Sequence, residues 1–412
     1  MKLSEDLAWR GLLKDKTFDD TAYLDQPKSF YWGVDAASAD SLTVGNLAPL
    51  LLAQRLARAG WKAVLLVGGA TSLIGDPGGK DTERPLLPRE QVAGNISAIK
   101  GQVSRLFGDS QFQLVDNYDW FSSLGYLDFL RDVGKHFSMS ELIQREYITE
   151  RMGESGTGIS YAEFSYSLIQ GYDFWHLYKE FGVNLQMGGS DQWGNMLSGV
   201  ALIRKKEGAE AQALSMPLVI NKATGKKFGK SEEGTIWLDP AKTSETQFRQ
   251  FWINVDDADV GDYLKFFTFI SKEEFGQLMS EHNAHPENRQ AQNYLSQKVT
   301  ELVYGTGAGQ AAEQIQKVLT GQTPIDSVDS QLLSALRKEI PVIAGKTSVI
   351  EALVSTGLAS SNSDARRLLA AGAVYINGQS TQSEQFKPDD FKNGRLLLRR
   401  GKAYKDSAVI EQ

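Results

Sequence analysis

Short, uninterrupted apolar runs alternate with amphipathic segments through the first half of this 412-residue chain. Ala63-Val-Leu-Leu-Val67 is closed by Gly68-Gly69, the pattern of a strand buried on both faces of a parallel sheet. Phe30–Asp35 (FYWGVD) precedes it as another strand, and Gln113-Leu-Val and Val183–Met187 follow as two more. Between the first two, Ala48, Leu52, Leu56 and Ala59 recur at helical spacing from about Gly45 to Ala59, with Leu51 widening the stripe and Arg55 and Arg58 beside it. Pro49 is tolerated in the first turn of that helix. Residues 162–180 read as a long helix. Strands joined by helices predict an α/β fold with a doubly wound, Rossmann-like parallel sheet. Ligands of such sheets sit beyond the carboxyl ends of the strands, which points to 35–46, 68–80 and 188–192.

From about Thr243 the pattern becomes helical. Ser271-Lys-Glu-Glu274 forms a capping box, and Pro286 suits the first turn of a further helix. A looser stretch, roughly 320–345, leads to a compact C-terminal segment. There Ser361 caps a helix through Arg366 and Arg367, and 373–378 and 395–400 read as strands. The expected organisation is a catalytic domain over 1–235, an α-helical domain over 236–325, a linker over 326–345 and a small α+β domain over 346–412. Such a division suits the length.

The net charge of −7 is unevenly spread. From Lys346 onward ten Lys/Arg face seven Asp/Glu, a net of +3, so the preceding 345 residues carry −10. A basic tail on an acidic body suits an anionic partner for the tail alone, although chance variation in surface charge gives the same pattern. There is no cysteine, which excludes disulfides and Cys-ligated zinc or iron–sulfur clusters. The histidines are His136, His176, His282 and His285. The last two are three apart, no neighbouring pattern completes a metal site, and both are expected at the surface near Pro286. The N-terminal MKLSEDLAWRGLL interleaves charges with apolar residues. It fits neither a signal peptide nor a membrane span, so a cytoplasmic location is expected.

Four stretches are candidates for chemistry. Thr43-Val-Gly-Asn46 opens the helix after the first strand. A helix N-terminus offers unpaired N–H groups and the positive end of the dipole, and glycine admits a ligand close to the backbone. On its own, a polar cap on a core helix explains this stretch better. Gly225-Lys-Lys-Phe-Gly-Lys-Ser231 resembles a P-loop, but three residues separate its glycines where four are required, and no helix pattern follows. It reads as a loop presenting Lys227 and Lys230, either to a polyphosphate whose transition-state charge they stabilise or simply to solvent. Tyr166, Gln170 and Asp173 share one helix face at i, i+4 and i+7, among Phe164, Tyr172, Phe174 and Trp175. Periodicity does not choose between a solvent face and a pocket for a polar, ring-bearing ligand. Ser72–Lys80 (SLIGDPGGK) is by itself an ordinary Asp-Pro-Gly turn. It also places Asp76 where an amine can meet it, with Lys80 and Arg84 as cations for phosphate. Each signal is weak alone; their co-occurrence in this order on one α/β chain is not.

In this arrangement the chain resembles the bacterial-type tyrosyl-tRNA synthetases of class I. The matching stretches are ADSLTVGN, LVGGATSLIGDPGGK, NYDWF, FLRDVGKHF, FSYSLIQGYDF, QMGGSDQWGN, KKFGKS and FWIN, in order from about residue 31 to residue 254. The C-terminal segment is similar to the family's small RNA-binding module. The resemblance implies a tyrosine–tRNA ligase that activates L-tyrosine with Mg-ATP, without a protein-ligated metal, and transfers it to the 3′ end of tRNA(Tyr). It also implies a homodimer whose interface includes about 115–150. Carried over residue by residue, Lys227 and Lys230 hold the ATP phosphates and Gly45 lies against adenine, with Asn46 and Ser38 in the same ATP site. Tyr31 and Asp173 hydrogen-bond the tyrosine hydroxyl. Asp76, Tyr166 and Gln170 contact the amino group, Gln192 the carboxylate end and Asp191 the ribose. Lys80 and Arg84 help the pyrophosphate leave. Arg366, Arg367, Arg399 and Arg400 are candidates for tRNA phosphates. Arg204–Lys206 meet either the acceptor stem or only the dipole of their own helix.

Two departures from the family pattern bear on mechanism. Thr43 stands where the signature's first histidine is usual, and Asp35–Asp40 is one residue longer than the common form, with Ser38 at the usual threonine. Thr43 is expected to donate one hydrogen bond and cannot carry charge. Losing one transition-state donor costs about 3–4 kcal/mol in kcat, which Ser38, Lys80 or the loop lysines would have to offset. The competing readings are a non-catalytic RNA-binding relative, favoured by Thr43, and another nucleotidyl transferase of the same fold, disfavoured by Tyr31 and Asp173.

Overall fold

The computed structural model describes the chain apart from residues 38, 78–86, 109, 145, 154–155, 223–224, 226–227, 229, 232–233, 346–347 and 402–405; at 146, 147, 150, 230 and 231 it describes the backbone alone. The chain falls into two compact units, Met1–Asp239 with Asp256–Asn283, and Pro240–Val255 with Ala284–Gln412.

The first unit is built on five parallel strands: β1 (Ser29–Asp35), β2 (Lys62–Gly68), β3 (Phe112–Asp116), β4 (Leu185–Gly189) and β5 (Gln212–Met216). Their order is β3-β2-β1-β4-β5. The chain moves outward from β1 to β3 and then returns to the other side of β1, so the switch point lies between β1 and β4. Register aligns Asp35 with Gly68 and Val67 with Asp116, which brings the carboxyl ends of three strands to one edge. β2 is buried from Ala63 to Gly68, as its unbroken apolar run requires.

Four helices of this unit bear on the site and its supports: α1 (Leu3–Arg10), α2 (Val44–Arg58), α3 (Arg89–Phe107) and α4 (Tyr161–Phe181). In α2 the run from Leu50 to Ala53 is buried, and so is Arg55, a position expected at the edge of the apolar stripe. Arg55 donates to the carbonyls of Thr268 and, at 3.3 Å, Lys265. Arg10 donates to the same two carbonyls at 3.2 and 3.0 Å and to Ile270 O at 2.7 Å, while pairing with Asp6 at 2.8 Å. Two guanidiniums thus cover the carbonyl end of a helix, where the dipole favours cations. Burial first, and Arg10 second, bring the Arg55 pKa down to about 9.

After α5 (Trp193–Glu207), the helix receiving this clamp is α6 (Asp257–Phe267), followed by α7 (Lys272–Ala284). Both belong to the first unit, not to a separate helical domain beginning at 236. The Ser271–Glu274 capping box forms as expected, with bonds of 3.0 and 3.1 Å. His282 is a correction to the sequence reading: it is 2 % exposed, with Nε2 3.2 Å from Asp257 Oδ1. Position 282 falls on the inner face of α7, whereas His285 lies past its end and is exposed. Pro286 opens only a three-residue 3₁₀ turn, because Arg289 turns left-handed (φ 50°) before the next helix starts at Gln290.

In the second unit, residues 326–345 are not a linker. Asp329 caps α8 (Ser330–Glu339), whose Leu333 and Leu336 pack in one buried cluster with Leu397 and Val409. The strand β8 (Val342–Ala344) then pairs in parallel with the chain's final strand. With the short lysine-loop hairpin numbered β6 (Lys230–Ser231) and β7 (Gly234–Thr235), the remaining strands are β9 (Val374–Ile376), β10 (Gln379–Thr381), β11 (Arg395–Arg400) and β12 (Ser407–Glu411). The sheet order is β10-β9-β11-β12-β8. Ser361 caps α9 (Asn362–Ala370) on this sheet. Among the described residues no helix is long and apolar enough to cross a membrane.

Candidate active site

Tyr31 points from β1 into a buried cluster with Phe174 and Val64, its ring 5.4 Å from that of Phe174. Its hydroxyl is buried without a partner among the described residues, and the Oε1 of its β4 register neighbour Gln186 is in the same position. Asp173 on α4 is 2 % exposed. It accepts from Asn117 Nδ2 at 3.0 Å and Trp120 Nε1 at 2.9 Å, both from the segment after β3. Burial raises the Asp173 pKa to about 7; the two hydrogen bonds oppose the rise and the nearby Asp116 adds to it. Burial, and then Asp173, hold the Tyr31 phenol well above its ordinary pKa. The Tyr31 hydroxyl, near a carboxyl that burial makes reluctant to ionise, is a group able to hydrogen-bond a polar guest.

Asn117 is itself fixed, accepting from Ala70 N at 2.6 Å and donating to Thr71 Oγ1 at 3.2 Å. Gln192 donates to Asp76 Oδ2 at 2.6 Å and accepts from Asn195 at 3.2 Å. Tyr166 is buried and Gln170 half-buried on the α4 face that also carries Asp173, so the polar stripe lines the interior and not solvent. Asp191 is exposed just beyond β4. A Cβ at Gly189 would lie 2.6 Å from Asp191 Oδ1, so the carboxylate position depends on that glycine.

At the start of α2, Thr43 N and Thr43 Oγ1 both donate to Asn46 Oδ1, at 3.0 and 3.1 Å. A Cβ at Gly45 would meet Thr43 Oγ1 at 3.4 Å and Phe228 O at 3.7 Å, ordinary contacts. The protein's own packing therefore does not require glycine at 45. Phe228 comes from the lysine loop, and the chain leaving that loop returns to the same place: Val44 N donates to Ile236 O at 3.1 Å and Leu238 N to Leu42 O at 2.8 Å. Ser38, Lys80, Arg84 and Lys227 lie outside the described residues, and Lys230 is described only as backbone in β6.

Residues 24–320 match the family model "tRNA synthetases class I (W and Y)", and 333–405 match "Tyrosine--tRNA ligase SYY-like C-terminal domain". The tyrosine–tRNA ligase of Roseiflexus castenholzii is 42% identical over 416 residues, covering 97% of each chain. That of Geobacillus kaustophilus is 44% identical, covering 93% of this chain and 92% of its own. The chain belongs to the class I tyrosine–tRNA ligases. A C-terminally truncated Aspergillus nidulans mitochondrial tyrosyl-tRNA synthetase superposes with a TM-score of 0.69 at 29% identity, covering 77% of this chain and 94% of that one.

For a tyrosine–tRNA ligase, the site adds two features that the sequence did not single out and one whose geometry differs from expectation. Asn117 and Trp120 lie in NYDWF, a stretch noted only for its resemblance, and nothing in its periodicity aims them at Asp173. Asp35 closes β1, accepts from Ser72 Oγ and Ala37 N, and keeps Oδ2 buried without a partner among the described residues. The Thr43 hydroxyl, expected to donate outward, spends its proton on Asn46.

Proposed function

We propose that the Tyr31–Asp173 end of this cavity reads the tyrosine hydroxyl and that the α2 end seats ATP. The observation that carries this reading is the buried Asp173 carboxylate, held by Asn117 and Trp120 beside a Tyr31 hydroxyl that has no partner among the described residues. A substrate phenol supplies the missing donor; a phenylalanine ring does not. Discrimination of roughly 10⁴–10⁵ against phenylalanine is a known property of tyrosyl-tRNA synthetases as a class, not a value derived from this geometry.

Asp76, Tyr166 and Gln170 take the ammonium, Gln192 the carboxylate end and Asp191 the ribose. The substrate carboxylate, already ionised, attacks the α-phosphorus of Mg-ATP; no protein base is needed, and catalysis is by positioning and fixed charge. Lys227, Lys230, Lys80, Arg84 and Ser38 take the phosphates, with Gly45 and Asn46 at the nucleotide. Thr43 offers oxygen lone pairs, so the charge that a histidine would bring falls to the lysines. The terminal ribose hydroxyl of tRNA(Tyr) then attacks the adenylate carbonyl.

The tRNA body meets the C-terminal domain, where the Arg366 and Arg367 side chains are exposed on α9 while Arg399 and Arg400 are partly spent on the Leu319 and Leu358 carbonyls. The enzyme works in the cytoplasm as a homodimer. Exposed Tyr126, Leu127, Met139 and Ile143 support an interface over about 115–150. Tyrosine-dependent ATP–pyrophosphate exchange, measured on this protein and on Thr43→His, tests the scheme. Exchange by the natural protein is expected; silence from a folded protein overturns it.

A further inference from the structure

Helix α6 packs along the lysine loop and the chain that enters it. The carboxylate of Asp259, 1 % exposed, accepts the backbone N–H of Lys222 with both oxygens at 3.2 Å, its only described donor. One turn on, Tyr263 donates its hydroxyl to Ile220 O at 3.3 Å. Tyr263 and Phe267 then take the Phe228 ring, with centroids at 4.8 and 5.3 Å. The Lys222 ammonium adds a bond to Ala258 O at 3.0 Å and a pair with Asp262 at 2.7 Å, both on the surface and worth little. Asp259 lies in the first turn of α6, where the helix dipole offsets part of the cost of burying its charge.

The same helix is held at its other end by Arg10 and Arg55, and Arg55 belongs to α2, which begins at the nucleotide seat. One frame therefore carries both Gly45 and the anchors of the loop. The Phe228 carbonyl lies against the Gly45 position as a result, two residues before Lys230.

We infer that Asp259, Tyr263 and Phe267 are positioning residues for adenylate formation: they fix the entry limb of the loop and its Phe228 ring, and so set where Lys230 stands relative to the nucleotide. This rests on Lys230 as a phosphate-contacting lysine. A misplacement of about 1 Å far from the chemistry is worth up to ~100-fold in rate.

The test compares Asp259→Ala, Asp259→Asn and Phe228→Ala, each alone and with Lys230→Ala, in pyrophosphate exchange at saturating substrates. Tyrosine affinity by equilibrium dialysis and single-turnover transfer from bound tyrosyl-adenylate to tRNA serve as further readouts. Asp259→Ala and Phe228→Ala should each lower exchange kcat about tenfold, with tyrosine affinity and transfer unchanged, and Asp259→Asn should recover most of the loss. Adding either change to Lys230→Ala should cost less than about twofold more, because both act through that lysine. Full multiplication of the effects, or unchanged exchange in Asp259→Ala and Phe228→Ala while Lys230→Ala is slow, overturns the positioning role alone. Unchanged exchange in Lys230→Ala overturns the lysine assignment and this inference with it. Should Asp259→Ala fail to fold, Phe228→Ala, a change in a half-buried loop ring, decides by the same criteria.

Discussion

Gln192 donates an amide hydrogen to Asp76 Oδ2 at 2.6 Å, joining the turn after β4 to the turn that follows β2 across the switch point of the sheet. The two are 116 residues apart in sequence, and the bond helps to orient the Asp76 carboxylate. Asp76→Ala should raise the KM for tyrosine by roughly 100-fold or more through loss of a charged hydrogen bond, with the KM for ATP little changed. Gln192→Ala, which leaves the carboxylate but frees its orientation, should cost less on tyrosine KM. Steady-state exchange with each substrate varied separately measures both.

Asp173 titrates at about 7 when folded, against an ordinary carboxylate value near 4. A raised folded pKa means that the fold favours the protonated form, so stability is greatest below about pH 4 on this account and is lost as pH climbs through about 7. Roughly three units correspond to a term on the order of 4 kcal/mol between those limits. Ligand-free Asp173→Asn should therefore gain on the natural protein as pH rises from 4 to 7, with the gap flat above. Denaturant unfolding at stepped pH shows the trend, and a gap independent of pH would count against a buried, raised carboxylate.

Tyr31→Phe removes a buried hydroxyl that has no partner among the described residues. The ligand-free protein should lose nothing and gain up to about 1 kcal/mol, since an unsatisfied buried polar group is a cost. Discrimination between tyrosine and phenylalanine should fall. Thermal unfolding and the ratio of kcat/KM values for the two amino acids check the two halves independently.

Gly189→Ala should act on the nucleotide and not on tyrosine. The new methyl would stand 2.6 Å from Asp191 Oδ1, and the carboxylate would have to move. A rise in the KM for ATP of about tenfold, one misplaced hydrogen bond's worth, with tyrosine affinity retained, is the expected result.

The parallel sheet was legible because β2 carries an unbroken apolar run from Ala63 to Val67, and the α4 stripe because Tyr166, Gln170 and Asp173 repeat at helical spacing. What stayed hidden depends on partners far along the chain. A guanidinium beside an apolar stripe reads as a solvent edge unless the carbonyls of 265 and 268 are known to meet it. His282 goes inward for a similar reason. Residues 326–345 hid a helix because α8 spans only Ser330–Glu339 and leans for its burial on strands sixty and more residues away. At the site, Asn117 and Trp120 follow a strand with no pattern of their own. The Thr43–Asn46 contact, by contrast, is local and is the polar helix cap that the stretch suggested, although the pattern does not say which way the hydroxyl points.

Helix α2 runs from Val44 to Arg58, a rod of about 22 Å at ~1.5 Å per residue. Its first turn carries the proposed nucleotide seat and its last turn holds Arg55 and Arg58, the latter stacked 3.7 Å over Phe269. A helix held in a close-packed interior transmits strain along its length. Loss of the rear cation stack would thus reach the nucleotide as a change of angle. A temperature-sensitive allele at Arg58 would lose its hold on ATP well below the temperature at which the protein melts.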